Sequence, residues 1–229
     1  ALPMSIQELQ ANGFWIDEER HIKPYIRYYQ LNEMFGRKTD EVIQNYLRDK
    51  GNGIFELQEQ FDNQRKIETY FAAIHGDSDV RDGLYALVAE VLFVPDPREP
   101  QKYHPRITAQ YTYSYRALSD SDKHTFDRLY DHFYYQRHNY FWYEQAMQKL
   151  PDLITSTDML VCAEDLGMIP ACVPYVMKQL HMLSLEIQRM PKDPTRKFAN
   201  TNYYPYLSVA TTSTHDMSTL RGWWEEDGE

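Results

Sequence analysis

Met159-Leu160-Val161-Cys162-Ala163-Glu164-Asp165-Leu166-Gly167-Met168-Ile169-Pro170 is the stretch whose reading decides the fold. Met159 to Ala163 is an apolar run of strand length with no helical spacing. Two carboxylates, Glu164 and Asp165, stand at its end, and Gly167 and Pro170 break the chain before a helical pattern resumes. A buried strand that stops on carboxylates and turns into a helix predicts an α/β fold, in which ligands bind at the carboxyl ends of the strands. Neighbouring side chains on an extended segment point to opposite sides. Only one of the two carboxylates can therefore enter a site. The other turns into the structure or caps the next turn, and Glu164 as a plain loop carboxylate with Asp165 as a cap is equally compatible with the spacing.

A second strand end repeats the arrangement. Tyr206 to Thr212 is rich in β-branched residues and runs through Ser213-Thr214-His215-Asp216 into a helical pattern from Ser218 to Trp224. A His beside an Asp there can bind sugar hydroxyls and stabilise positive charge, or Asp216 can be a cap with His215 packed beside it. Between the two, Ala171 to Leu180 predicts a helix and Leu183 to Ile187 a strand whose end carries Gln188 and Arg189. Lys192 to Asn202 is a polar loop.

Together, Ala163-Glu164-Asp165-Leu166-Gly167, Ile187-Gln188-Arg189-Met190-Pro191, Tyr203-Tyr204-Pro205-Tyr206 and His215-Asp216-Met217-Ser218-Thr219-Leu220-Arg221 resemble the 4-α-glucanotransferases (amylomaltases or disproportionating enzymes), family 77 of the glycoside hydrolases. The version here is similar to the branch of the plant cytosolic disproportionating enzyme, in which a long insertion interrupts the barrel. The match is specific from about Trp142 to Asp227 and weaker before it. The resemblance implies the later part of a (β/α)8 barrel catalytic domain over 141–229, preceded by a mostly α-helical insertion over 1–140. Three strands follow Met159 where a barrel needs eight, so the barrel is expected to be incomplete in this chain.

The implied chemistry is a retaining transfer of α-1,4-glucosyl units between malto-oligosaccharides or glucans. By the motif match Glu164 is the acid/base, Asp216 the transition-state stabiliser, and His215 a sugar contact. Arg189 is expected to touch substrate, to hold a catalytic carboxylate, or to form a structural ion pair. A retaining carboxylate pair stands roughly 5–5.5 Å apart, and an acid/base works best with a pKa raised towards neutrality. The family's nucleophile is an Asp in an Arg-x-Asp-His motif on an earlier strand. No such motif occurs here, and Asp131-His132 lies in an aromatic helical run. The nucleophile is therefore expected upstream of residue 1, the chain is expected to need the rest of its own catalytic domain, and the 229 residues alone are expected to be inactive. An amylase-type α-glucan hydrolase shares the carboxylate logic, and a non-catalytic glucan-binding or assembly module is the reading outside enzymes.

Composition narrows the partners. A net charge of −10 argues against nucleic acid and anionic membrane surfaces. No apolar run reaches the length of about 18 that a transmembrane helix needs, and the opening Ala1-Leu2-Pro3-Met4 shows no signal-peptide pattern. Cys162 and Cys172 make no metal pattern, and sparse cysteine fits a reducing, cytoplasmic compartment. Paired carboxylates transfer glucosyl groups unaided, so no cofactor and no metal are expected.

The first part of the chain reads as helices. Ser5 with Glu8 forms a capping box for a helix ending near Gly13, and Phe14-Trp15-Ile16 is expected to pack the insertion onto the barrel. Pro24 to Phe35 predicts a helix stopped by Gly36. Thr39 caps a second with Val42, Ile43, Tyr46 and Leu47 on one face, which Gly51-Asn52-Gly53 ends. Ile54 to Leu57 predicts a short strand, Asn63–Ile74 and Asp79–Glu90 helices, and Val91 to Val94 a strand. Pro95 to Ser114 reads as a long irregular stretch whose Tyr103, His104, Tyr111, Tyr113 and Tyr115 either face glucan or pack on helices. Helices are predicted over Asp122–Tyr135 and Asn139–Leu150, with Pro151 as the stop.

Overall fold

The computed structural model describes residues 2–167 and 169–226; Met168 of the deciding stretch, and Ala1 and Asp227 at the ends of the readings above, lie outside the described residues. Contacts divide the chain into two compact units, Ala1–Asp131 and His132–Glu229. The division falls within the aromatic helical run.

The first unit opens with β1 (Met4–Ser5) and α1 (Ile6–Ala11). The Ser5 hydroxyl accepts from the Glu8 N–H at 3.1 Å, satisfying one of the open donors of the first turn. Gly13, at φ +87°, turns the chain out of the helix, a conformation that favours glycine. After β2 (Ile26–Arg27) come α2 (Tyr28–Phe35) and α3 (Thr39–Tyr46). Gly36 at φ +53° separates them. Thr39 lies inside α3 and donates its hydroxyl to the Gly36 carbonyl at 2.7 Å, closing the corner from below instead of capping it.

Leu47 does not extend α3. It starts β3 (Leu47–Gly51), which pairs antiparallel with β4 (Ile54–Leu57). Gly51-Asn52-Gly53 is thus a hairpin turn and not a helix stop. Asn52 (φ +56°) and Gly53 (φ +70°) supply the positive angles that a tight hairpin requires. Pairing of β2 on the other side of β4 completes this sheet.

Helices α4 (Gln64–Ile74) and α5 (Ser78–Val88) are capped by Asn63 and Asp77. Their apolar stripes, Ile67 with Phe71 and Val80 with Leu84 and Leu87, meet Leu31, Phe35, Val42 and Tyr46 in one buried cluster. Spacing of three and four residues puts each stripe on one helix face, and burial of such side chains contributes about 1.5–3 kcal/mol apiece.

The stretch from Pro95 to Ser114 is more regular than its prolines suggest. β6 (Lys102–Pro105) pairs antiparallel with β5 (Phe93–Pro95) on one side and with β1 on the other. Tyr103 is buried in that sheet, which removes it from the residues able to face glucan. His104 and Asp96 are joined through Nε2 and Oδ2 at 2.8 Å. After α6 (Tyr113–Arg116) and α7 (Asp120–Asp131), Tyr115 donates its phenol to Asp127 at 2.7 Å, and Tyr113 packs edge-on to Tyr29. Tyr111 is exposed. Phe14 is fully buried against Phe93 and Phe126 of its own unit, whereas Trp15 is exposed.

The second unit begins with a wide helical turn, His132–Gln136, and α8 (Asn139–Thr155). Pro151 sits inside α8, which runs one turn past it. Proline forfeits one hydrogen bond to the preceding turn, and an exposed helix end tolerates that loss. There follow α9 (Val173–Gln179), β7 (Ser184–Ile187), β8 (Ser208–Thr211) and α10 (Leu220–Glu225). β7 and β8 are parallel, with Ser184 opposite Ser208 and Ile187 opposite Thr211.

The strand expected over Met159 to Ala163 is reduced to a parallel bridge between Cys162 and Leu183. Main-chain bonds of 2.9 Å run from Ala163 to Leu183 and from Leu183 to Val161. It is also not buried. Met159 and Leu160 are 76% and 71% exposed, and Cys162 is exposed. A fully buried parallel strand needs neighbours on both edges and cover on both faces, and among the described residues this one is paired on the β7 side alone. Cys162 is consequently not packed, and Cys172 is half-buried; both are free thiols.

Candidate active site

The parallel register sets the direction of the site. Cys162 lies beside Leu183, and Ile187 beside Thr211, so the Cys162 segment, β7 and β8 point their carboxyl ends the same way. Glu164, Arg189 and the loop carrying His215 and Asp216 each follow one of these ends. This is the edge at which parallel α/β folds gather reactive side chains.

Glu164 and Asp165 diverge as alternation requires. Glu164 is exposed, and its Oε1 accepts from the Leu166 N–H at 3.0 Å. Asp165 is only 4% exposed and is held from two directions. Its Oδ1 accepts from the Leu185 N–H of β7 at 2.8 Å, and its Oδ2 accepts from the Lys192 ammonium at 2.7 Å. That ammonium also donates to Glu186 at 2.7 Å, and the Ser184 hydroxyl donates to the same Glu186 oxygen at 3.0 Å. Burial opposes the Lys192 charge, but the hydrogen bonds to Asp165 and Glu186 outweigh it and hold its pKa above the usual lysine value. This group fastens the Glu164 turn to β7. A cavity of about 610 Å³, lined by Asp165, Met177, Met182, Glu186, Lys192 and Leu207, lies on the Asp165 side, and Glu164 does not line it.

The Asp216 loop is built differently. Thr211 Oγ1 donates to the Ser213 carbonyl at 2.9 Å, and Thr214 Oγ1 donates to Asp216 Oδ1 at 3.0 Å. His215 Nε2 lies 3.3 Å from the same carboxylate oxygen, with side chains 95% and 75% exposed. Thr219 then caps α10 by accepting from the Gly222 N–H at 3.0 Å. Asp216 is therefore not the cap; Thr219 is. His215 is not packed, and together they present a closely spaced imidazole and carboxylate to solvent.

Among the described residues Arg189 makes neither of the ion pairs considered for it. Its Nε donates to the Thr212 carbonyl at 3.2 Å, its Nη1 to Ser218 Oγ at 3.4 Å, and its Nη2 to the Ser218 carbonyl. The guanidinium also lies over the Trp223 ring, 5.4 Å from its centroid. Lys192, Glu186 and Ser218 went unnoticed in the sequence. The alternation of Ser184 and Glu186 on one face of a strand was a usable signal for a polar group there. Nothing local marks Lys192 within its polar loop. Among the described residues no cluster of three or more His, Cys, Asp or Glu could hold a metal ion, and no helix is long and apolar enough to cross a membrane.

Comparison with known proteins gives these strand ends a context. The profile of the 4-alpha-glucanotransferase family matches residues 6–229. The chain is 36% identical over 235 aligned positions to the 4-alpha-glucanotransferase DPE2 of rice (Oryza sativa subsp. japonica), a match that covers all of this chain and 25% of the relative. It is 38% identical over 84 positions to the 4-alpha-glucanotransferase of Chlamydia trachomatis, covering 36% of this chain and 16% of that protein, and 36% identical over 85 positions to that of Chlamydia muridarum. The chain thus spans about a quarter of the length of the rice relative. No solved structure matches it significantly. The chain belongs to the 4-alpha-glucanotransferase family, glycoside hydrolase family 77.

Proposed function

We propose that this chain is the part of a retaining 4-α-glucanotransferase that carries its acid/base and its transition-state stabiliser. The observation that supports this best is the shared direction of the strand ends, with Glu164 turned out and its neighbour Asp165 tied in. In this reading residues 141–229 are the later strands and helices of a (β/α)8 barrel, and 1–140 is an insertion into it. The edge of the Cys162 segment that exposes Met159 and Leu160 is where an earlier barrel strand would pair.

Glu164, as the acid, protonates the glycosidic oxygen while a nucleophilic Asp on the opposite face of the sugar attacks the anomeric carbon. That Asp lies in an Arg-x-Asp-His motif outside these 229 residues. The leaving sugar departs and a glucosyl–enzyme ester remains. Glu164, now a carboxylate, takes the proton of an incoming 4-hydroxyl, which attacks the same carbon and releases the nucleophile. Asp216 places negative charge beside the oxocarbenium-like transition state, and His215 hydrogen-bonds the sugar hydroxyls next to it. Malto-oligosaccharides or α-glucans serve as donor and acceptor, and a cytoplasmic setting accords with the free thiols.

The test is the product ladder from maltotriose, made with these 229 residues and with the protein extended to the length of its relatives. The extended protein should give longer and shorter glucans, and the 229 residues alone should give none. Glu164→Gln in the extended protein should lower turnover by about 10²–10⁴-fold, and Asp216→Asn should lower it with the fold retained. A ladder from the short chain would place the nucleophile inside it. Near-normal turnover of Glu164→Gln would remove the acid/base assignment, and glucose without a ladder would move the reading to hydrolysis.

A further inference from the structure

We infer that Arg189 is a positioning residue, a clamp that closes the loop bearing Asp216 and thereby sets where that carboxylate stands. The inference rests on the reading of Asp216 as the transition-state stabiliser and goes beyond it, since Arg189 works here without meeting the sugar.

The geometry carries the argument. The loop between β8 and α10 leaves at Thr212 and re-enters at Ser218, just before the Thr219 cap. One guanidinium donates to the carbonyls of both residues, and to the Ser218 hydroxyl as well. Arginine suits this place because its planar fork offers five donors in fixed directions. The far side of the plane lies over Trp223 in the first turns of α10, so the helix, the loop and the end of β7 are held by one side chain. Asp216 is hydrogen-bonded by Thr214 and lies 3.3 Å from the His215 ring nitrogen, and both are themselves loop residues. Among the described residues no side chain from outside the loop hydrogen-bonds or pairs with Asp216, so the loop ends govern its position. A displacement of about 1 Å at a reacting centre costs on the order of 10²-fold in rate, so releasing the ends of loop 212–218 is expected to act on rate through Asp216.

Two substitutions in the extended protein test this, with kcat and KM measured on maltotriose. Arg189→Met should lower kcat by about 10–100-fold and leave KM within about twofold. Arg189→Lys should recover little, because one ammonium cannot span both carbonyls or stack on Trp223. In the Asp216→Asn background the Arg189→Met loss should vanish, since the clamp then has no carboxylate to place. A rise in KM at unchanged kcat would make Arg189 a substrate contact and overturn the inference, as would losses that multiply in the double variant, the mark of an independent structural role. Should Arg189→Met not fold, as far-ultraviolet circular dichroism would show, Trp223→Leu removes the stack alone; it should lower kcat in the same background-dependent way, and an unchanged kcat would overturn the clamp. If Asp216→Asn alone keeps full turnover, the stabiliser assignment fails first, and that outcome is separate from the others.

Discussion

Replacing Lys192 by Met strips one cation from two carboxylates. Asp165 and Glu186 both accept from its ammonium at 2.7 Å, with side chains 4% and 13% exposed. Their accepting oxygens are therefore no more than about 5.4 Å apart, and at an effective dielectric of about 20 two unit charges at that distance repel by about 3 kcal/mol. Lys192 is itself 37% exposed, so water already screens part of this; the expected loss is about 1–2 kcal/mol. The pH range of the loss is set by the lysine. Its folded pKa is raised above 10.5, so what it contributes is whole below that value and fades only as the pH climbs through the folded pKa. Urea unfolding followed by tryptophan fluorescence, at pH 7 and stepwise above pH 10.5, tests this. Lys192→Met should unfold earlier than wild type at pH 7 and approach it as the pH rises through the lysine's folded value, and Lys192→Met with Asp165→Asn should recover part of the pH 7 loss. A midpoint unchanged at pH 7, or a deficit that stays equal as the lysine loses its proton, would refute the charge argument and leave only the packing of the lysine stem.

Two further expectations concern the first unit. A Cβ at Gly83 would stand 2.2 Å from Cε1 of the buried Phe35 ring, so Gly83→Ala should destabilise by about 1–2 kcal/mol in spite of its better helix propensity; adding Phe35→Leu should return part of that in denaturant titrations, and a Gly83→Ala variant more stable than wild type would sink the idea. Asp96 is held at about 2 by its hydrogen bond with His104, then by the N–H groups of Arg98 and Glu99, against an ordinary value of 3.8. Its contribution is present above 3.8 and lost as the pH falls towards 2, so Asp96→Asn should unfold at a lower temperature than wild type at pH 7 and converge with it in acid.

What could be read from the sequence was local. The Ser5 cap, the Gly36 stop, and the Ile67/Phe71 and Val80/Leu84/Leu87 stripes follow from hydrogen bonds and periodicity within a few residues, and the structure has them. The misreadings came where distant partners decide. Leu47 fits the apolar face of α3, yet pairing with β4 draws it into a strand, although Asn52-Gly53 was the hairpin signal to weigh. Lys102–Pro105 is a strand because Met4–Ser5 and Phe93–Pro95 flank it, and nothing within the segment announces that. Pro151 was given the force of a stop that an exposed helix end need not obey. At the candidate site the strand-end residues were legible from motif and alternation. The bonds of Arg189 to the Thr212 and Ser218 carbonyls were not, because a main-chain acceptor leaves no trace in residue identity.

The antiparallel pair of β1 and β6 joins Met4 to Tyr103, about a hundred residues apart along the chain. Ordering so large a ring carries an entropic cost of about 4 kcal/mol that two short strands must meet with few contacts of their own. The cluster around Leu31, Phe71 and Leu84 closes rings of about half that length or less, each halving of which lowers the cost by about 0.6 kcal/mol. Loop closure therefore favours assembly of the first unit from that cluster outward, with the β1–β6 pairing and the burial of Met4 expected to come later.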